Sequence, residues 1–304
     1  MASEIRVGLN PPNSKLVIDF VRTRETIDEM FDAGITDIHV CDHVSFHGGI
    51  GFDALINAAA LLAMHPEVTV STTVYLLPLR HPVAVARQVS DLTRLAPGRF
   101  SFGVGIGGEE PEEYRSCGID IATRGRRMNE ALDILRYLLE GESVTFRGEF
   151  YDLDDVLVQP RVNDAVPVIV GGRSNAALRR TALHGDGWVG LWNSPKRFAA
   201  ATEQIEKVAA DFGRADIAWQ HAMFVWCGLG DNAEQRLAQE MSGLYDLPFS
   251  AFSKYCPTGN AEQIAEFLMP YVEAGCHQFH LAAVSEDESE RIAIAAEVKR
   301  LLNN

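Results

Sequence analysis

Residues 68–108 read VTVSTTVYLLPLRHPVAVARQVSDLTRLAPGRFSFGVGIGG. A β-branched run opens the stretch and a turn at Leu77-Pro78-Leu79-Arg80-His81-Pro82 interrupts it. An amphipathic helical pattern follows Pro82, and a second apolar run closes on glycines. This is one strand–helix–strand unit. Both runs are apolar at successive positions, the pattern of strands covered on both faces in a parallel sheet. Parallel α/β folds bind ligands beyond the carboxyl ends of their strands, so chemistry is sought there.

Working outward, residues 5–9 and 35–43 read as earlier strands. A helix over 24–33 stops at Gly34, which suits the left-handed cap position, and another covers 52–64. Strands at 68–76 and 100–104 flank the helix over 83–95. Beyond them, the helix over 123–139 carries Met128, Leu132, Leu135 and Leu139 at three- and four-residue spacing. Residues 144–153, VTFRGEFYDL, read as a hairpin turning at Arg147-Gly148, outside the alternation. Strands at 166–170, 187–191, 222–228 and 278–282 then alternate with helices over 175–184, 198–212, 233–244 and 261–274, and a helix over 290–302 closes the chain. Eight strands, each followed by a helix, predict an α/β fold: a (β/α)8 TIM barrel with insertions, with a doubly wound sheet as its competitor. No linker or repeat divides the chain, so residues 1–304 are expected to form one domain.

At 304 residues and 47% hydrophobic content the chain can bury a sizeable core. A net charge of -15 argues against nucleic acid or an anionic membrane as the main partner, and an anionic ligand needs a local site. The five cysteines (Cys41, Cys117, Cys227, Cys256, Cys276) are dispersed and form no CxxC pair. They indicate neither a disulfide framework nor a zinc site. The first residues lack the pattern of a secretory signal and no apolar run reaches the ~18 residues of a membrane helix, so a cytoplasmic protein is expected.

Three constellations stand at predicted strand ends. In Gly171-Gly172-Arg173-Ser174-Asn175 two glycines, a cation and a hydroxyl precede a helix, which suits either a phosphate cradle or a tight turn with an N-cap. Gly103-Val104-Gly105-Ile106-Gly107-Gly108 lacks the third spaced glycine of a dinucleotide fingerprint and suits a flat ring lying against backbone. The carboxylates that follow it (Glu109, Glu110, Glu112, Glu113) would repel an anion, and most of them read as a solvated acidic loop. Asp42-His43 ends the second strand, a place for proton transfer, against the plainer reading of a polar turn. No third ligand at a recognisable spacing supports a metal. His47 lies nearby on a glycine-rich loop, and the other histidines and the four tryptophans read as packing or surface residues, some able to line a pocket. Nucleophilic hydrolysis lacks both a Gly-x-Ser-x-Gly elbow and a cysteine beside a base.

Taken in order, Asp42-His43, the run TTVYLLPLRHP, Pro97-Gly98-Arg99-Phe100 with its glycine strand, Thr123-Arg124-Gly125-Arg126-Arg127-Met128-Asn129-Glu130, the 167–172 run and Asp186-Gly187-Trp188 resemble the luciferase-like monooxygenases across nearly the whole chain. The resemblance implies a TIM barrel with FMN or the deazaflavin coenzyme F-420 at its mouth. It implies that Asp42 and His43 lie near the ring, with His43 donating the proton or orienting substrate. It further implies that Thr73-Val74 forms a strand-three bulge with a non-prolyl cis peptide behind the ring, and that Ile106, Gly107 and Gly108 flank the ring. The phosphate is assigned to Gly171, Gly172 and Arg173, with the Ser174 hydroxyl beside them. Compact size and the Arg-Gly-Arg-Arg-Met-Asn-Glu helix start favour F-420. The expected activity is hydride transfer between the deazaflavin and a small organic substrate. The alternatives are an FMN-dependent monooxygenase, fed by a partner reductase and using dioxygen, and a non-catalytic flavin-binding protein. A sugar phosphate is disfavoured, because Glu109 is shifted by one position from the glutamate of the related sugar-phosphate dehydrogenases. The resemblance also implies a homodimer. Specificity is expected in loops 46–52, 109–123 and 246–257.

Overall fold

The computed structural model describes residues 4–11, 20–47, 49–108, 110–161, 164–245 and 247–304. Two compact units divide the chain, residues 40–187 forming one and residues 1–39 with 188–304 the other. The chain opens with β1 (Arg6–Leu9), α1 (Phe20–Asp32) and β2 (Asp37–Val40). Next come β3 (His43–Phe46), β4 (Ile50–Phe52), α2 (Ala54–Met64), β5 (Thr69–Thr72), β6 (Tyr75–Leu76), α3 (Pro82–Leu95) and β7 (Phe100–Gly105). A short α4 (Pro111–Ser116) precedes α5 (Arg124–Leu139), the hairpin strands β8 (Val144–Arg147) and β9 (Asp152–Val156), then β10 (Val168–Gly171) and α6 (Asn175–His184). The last part runs β11 (Gly187–Leu191), α7 (Pro195–Asp211), β12 (Ala222–Leu229), α8 (Ala233–Tyr245), β13 (Thr258–Gly259), α9 (Ala261–Glu273), β14 (Gln278–Val284) and α10 (Glu288–Leu302).

Parallel pairing within the unit of residues 40–187 sets its strand ends side by side. β7 is central there: Val70 of β5 is opposite Phe100, Tyr75 of β6 opposite Val104, and Val168 of β10 opposite Phe102. Leu76, Gly105 and Gly171 therefore end neighbouring strands at one edge. In the other unit β1 pairs in parallel with β2 and β14, and β12 with β11 and β14. The apolar residues of these strands are buried at successive positions, as the sequence pattern demands of strands covered on both faces.

Three features differ from the sequence expectation. The run 68–76 is two strands, not one: β5 stops at Thr72 and β6 resumes at Tyr75, and the Thr73–Val74 peptide between them is cis, as the resemblance implied. Strand two ends at Val40, and His43 opens a short antiparallel hairpin in which it faces Phe52. Residues 111–116 are helical where a solvated loop was expected. Pro111 occupies the first turn, the Glu110 carboxylate accepts from the Glu112 amide at 3.1 Å, and Glu112 and Glu113 face the positive end of the helix. The expected hairpin does form, as β8 and β9.

Candidate active site

The chain leaves β2 at Val40 and reaches Asp42, which is 1% exposed. Its oxygens accept from the amides of Leu76 at 2.9 Å and Ala54 at 3.2 Å, and from both terminal nitrogens of Arg80. Burial pushes the Asp42 carboxyl above its ordinary value, against the opposing pull of Arg80 and the two amides. Desolvation works to lower the Arg80 pKa, but Asp42, Tyr75 and Asp53 together outweigh it and hold the guanidinium charged, 4.5 Å above the Tyr75 ring. Asp42 thus fastens the start of α2, the strand β6 and the turn after it. The Val40 carbonyl accepts from the Thr73 amide at 2.7 Å, the Cys41 thiol donates to the Thr73 carbonyl at 3.4 Å, and Val74 is half-buried at the break between β5 and β6.

His43 points at a carboxylate that sequence reading had assigned to the solvated loop. Glu113 is 1% exposed, and its oxygens lie 3.3 Å from His43 Nδ1. It also accepts from the amides of Val44 and Ser45. Burial works to raise the Glu113 carboxyl, but His43 and the two amides outweigh it and hold the group below its ordinary value. The position is set by its neighbour, since Tyr114 is wholly buried against Leu76 and Leu79 and its hydroxyl donates to the Ile106 carbonyl. The His43 ring lies on Phe46, centroids 4.2 Å apart. Of the remaining acids in this run, Glu110 meets His47 at 3.0 Å, Glu112 pairs with Arg115 on the surface, and Glu109 lies outside the described residues.

Past β7, Ile106, Gly107 and Gly108 leave the same edge. Gly107 has φ +53°, and a Cβ there would stand 2.8 Å from Leu76 Cδ2; at Gly108, with φ +113°, it would stand 3.1 Å from Arg124 Nε. Backbone is therefore the only surface that fits at 107 and 108.

Gly171 ends β10 beside Gly105, Gly172 has φ +127°, and Arg173 and Ser174 are exposed. The Ser174 hydroxyl accepts from the Ala177 amide at 3.2 Å, so it caps α6, as the plainer sequence reading held. One residue here escaped the sequence analysis. Arg180, on α6, is 9% exposed, and its guanidinium donates to Asn129 Oδ1 at 2.7 Å and the Gly125 carbonyl at 3.1 Å, both neutral acceptors. Burial lowers its pKa. A buried cation bonded to neutral groups favours a nearby anion, as do the amides at the start of α6. The pair Arg179-Arg180 gives no sequence signal of this, because burial is decided by the fit of α5 against α6.

Asp42, His43, Thr73, Val74, Ile106, Gly107 and Gly108 thus gather at adjoining strand ends with Gly171, Gly172, Arg173 and Ser174, all on residues 40–187. The glycine backbone could take the face of a flat ring, and the amides of the β10–α6 turn could take a phosphate.

A family model for the luciferase-like monooxygenases matches residues 3–266. An F-420-dependent glucose-6-phosphate dehydrogenase of Nakamurella multipartita is 26% identical, covering 87% of each chain. An uncharacterised protein of Mycobacterium bovis is 33% identical over 162 residues, 53% of this chain, so the match spans about half of that relative, 56% of its length. The structure of an F-420-dependent secondary alcohol dehydrogenase in complex with an F-420–acetone adduct superposes with a TM-score of 0.85 at 21% identity, covering 99% of this chain and 100% of that one. The likeness shows the fold, the (β/α)8 barrel.

Proposed function

Because this chain belongs to the luciferase-like monooxygenase family, we propose that it is a coenzyme F-420-dependent oxidoreductase that transfers a hydride between the deazaflavin and a small organic substrate. The observation that carries the reading is the His43–Glu113 pair beside a glycine-lined, anion-favouring set of strand ends. The likeness over 87% of an F-420-dependent relative supports the choice of coenzyme. Residues 1–304 are taken as one catalytic domain.

When bound, coenzyme F-420 supplies a two-electron hydride acceptor or donor that reacts poorly with dioxygen. The chain's residues do the rest. Glu113, ionised at neutral pH, would accept a hydrogen bond from Nδ1–H of His43 and so leave Nε2 with its lone pair. Nε2 takes the hydroxyl proton of an alcohol as its carbon-bound hydrogen leaves with two electrons, giving the carbonyl compound; in the reverse direction Nε2–H returns the proton. Ile106, Gly107 and Gly108 would lie along the ring, with Thr73 and Val74 behind it and Asp42 fixing the β6 side. Gly171, Gly172, Arg173 and Ser174 would surround the phosphate, with Arg180 adding positive charge from the second turn of α6.

Fluorescence titration of the purified protein with oxidised F-420, and separately with FMN, tests the proposal. We expect saturable preference for F-420, weakened by roughly ten- to a hundredfold in Arg180→Met, the loss of a charge-assisted interaction. Preference for FMN, with oxygen consumed on turnover, would replace the reading with a flavin monooxygenase. Tight F-420 binding with no turnover, and no effect of His43→Ala on any substrate, would reduce the protein to a cofactor binder.

A further inference from the structure

Glu113 holds His43 at one nitrogen, and a ring held at one nitrogen can still swing about that contact. Both Glu113 oxygens lie 3.3 Å from Nδ1, long for a hydrogen bond and too loose to fix the plane of the imidazole alone. What lies against the face of the ring must set that plane. Phe46, 4% exposed, lies there, with centroids 4.2 Å apart and planes 32° apart.

Successive residues of a strand point to opposite faces, so a regular strand would send the side chain at 47 away from Phe46. Instead the chain turns directly after β3, where the Gly49 amide donates to the Phe46 carbonyl at 3.0 Å, and the His47 ring lies 4.2 Å from the Phe46 ring at 57°. With its side chain 40% exposed, His47 has water as an alternative to that contact. Glu110 removes the choice, since its carboxylate lies 3.0 Å from His47 Nδ1. His43, Phe46 and His47 thus form a file of three rings with a carboxylate against the histidine at each end. Both carboxylates come from the start of α4, Glu110 as its cap and Glu113 three residues on, and the whole group lies within residues 40–187. The proton chemistry assigned to His43 and Glu113 makes no use of Phe46, His47 or Glu110.

We propose that Phe46 and His47 are positioning residues for the reaction: Phe46 sets the plane of the His43 ring, and His47, tied to Glu110, holds Phe46 in place. This inference rests on the oxidoreductase reading for the role of His43 but not for the stack itself. Glu113 decides which nitrogen His43 presents, the stack decides where that nitrogen points, and proton transfer falls away when donor and acceptor are misaligned. A partly exposed pair such as His47–Glu110 adds little to stability, so its removal is expected to leave the fold intact.

Two readouts test the proposal, and the first needs no coenzyme. Protons over the face of an aromatic ring are shielded. In the coenzyme-free protein the NMR signal of the His43 ring protons, identified by its loss in His43→Ala, is therefore expected to move downfield in Phe46→Leu and part of the way in His47→Ala. With F-420 and the fastest of 2-propanol, cyclohexanol and benzyl alcohol, kcat should fall roughly two- to tenfold in each variant, the worth of one aromatic contact, while KM and F-420 affinity hold. Because His47 acts through Phe46, the double variant should be no slower than Phe46→Leu alone. His47→Ala carries the test if Phe46→Leu does not fold. An unmoved His43 signal, a change in KM in place of kcat, or losses that multiply in the double variant overturn the proposal. A moved signal in a protein that does not bind F-420 would instead support the stack as the device that aims His43 and overturn the coenzyme assignment.

Discussion

His43 owes its direction to Glu113. An imidazole alone presents either nitrogen; one pinned at Nδ1 by a buried carboxylate presents Nε2. Glu113→Gln keeps the shape but removes the charged acceptor that fixes the Nδ1 side of the ring, so kcat should fall about 10- to 100-fold with F-420 affinity unchanged. The same carboxylate links stability to pH. Its folded pKa is depressed, so its contribution is full above the unfolded value near ~4.3 and is lost as pH falls through the lower folded value. Chemical denaturation at stepped pH should therefore show wild type losing more stability than Glu113→Gln below about pH 4; parallel curves would count against a depressed Glu113.

At the scale of elements, β7 must pass close to the break between β5 and β6. A Cβ on Gly103 would stand 1.9 Å from the Thr72 carbonyl oxygen, which only a backbone shift relieves, whereas at Gly107 the neighbour is the movable end of Leu76. Gly103→Ala should cost about 3 kcal/mol or more, and Gly107→Ala, strained by its φ, about 1–2 kcal/mol, a ranking that thermal denaturation checks. The alternation of strands and helices was legible because apolar period and glycine punctuation are local, and so were the β8–β9 hairpin and the grouping of Gly107 and Gly171 at strand ends. The hairpin of β3 and β4 was not, since residues 43–52 are too short to show alternation. Helix α4 has fewer than two turns, so no period could reveal it; Pro111 after Glu110 and before two more acids was its one trace. Glu113 and Arg180 were hidden for a different reason: only packing on Leu76 and Leu79, or of α6 on α5, takes a charged side chain out of water.

For the whole molecule, the net charge is -15, whereas the proposed phosphate site carries local cations. The two act over different distances, because salt screens the long-range field before it screens a buried contact. Raising ionic strength from about 10 to about 150 mM should therefore increase the association rate constant for F-420, measured by stopped-flow fluorescence; a decrease would show that local cations also govern approach. The hairpin of β3 and β4 has a consequence of its own. Its first strand carries His43 and is bonded through the Val44 and Ser45 amides to Glu113, while Val44 and Ile50 face solvent. The aim of the histidine is thus secured at the root of the hairpin, leaving its tip outside that bond set. Substitutions at the tip can therefore accumulate without disturbing the bonds that aim His43.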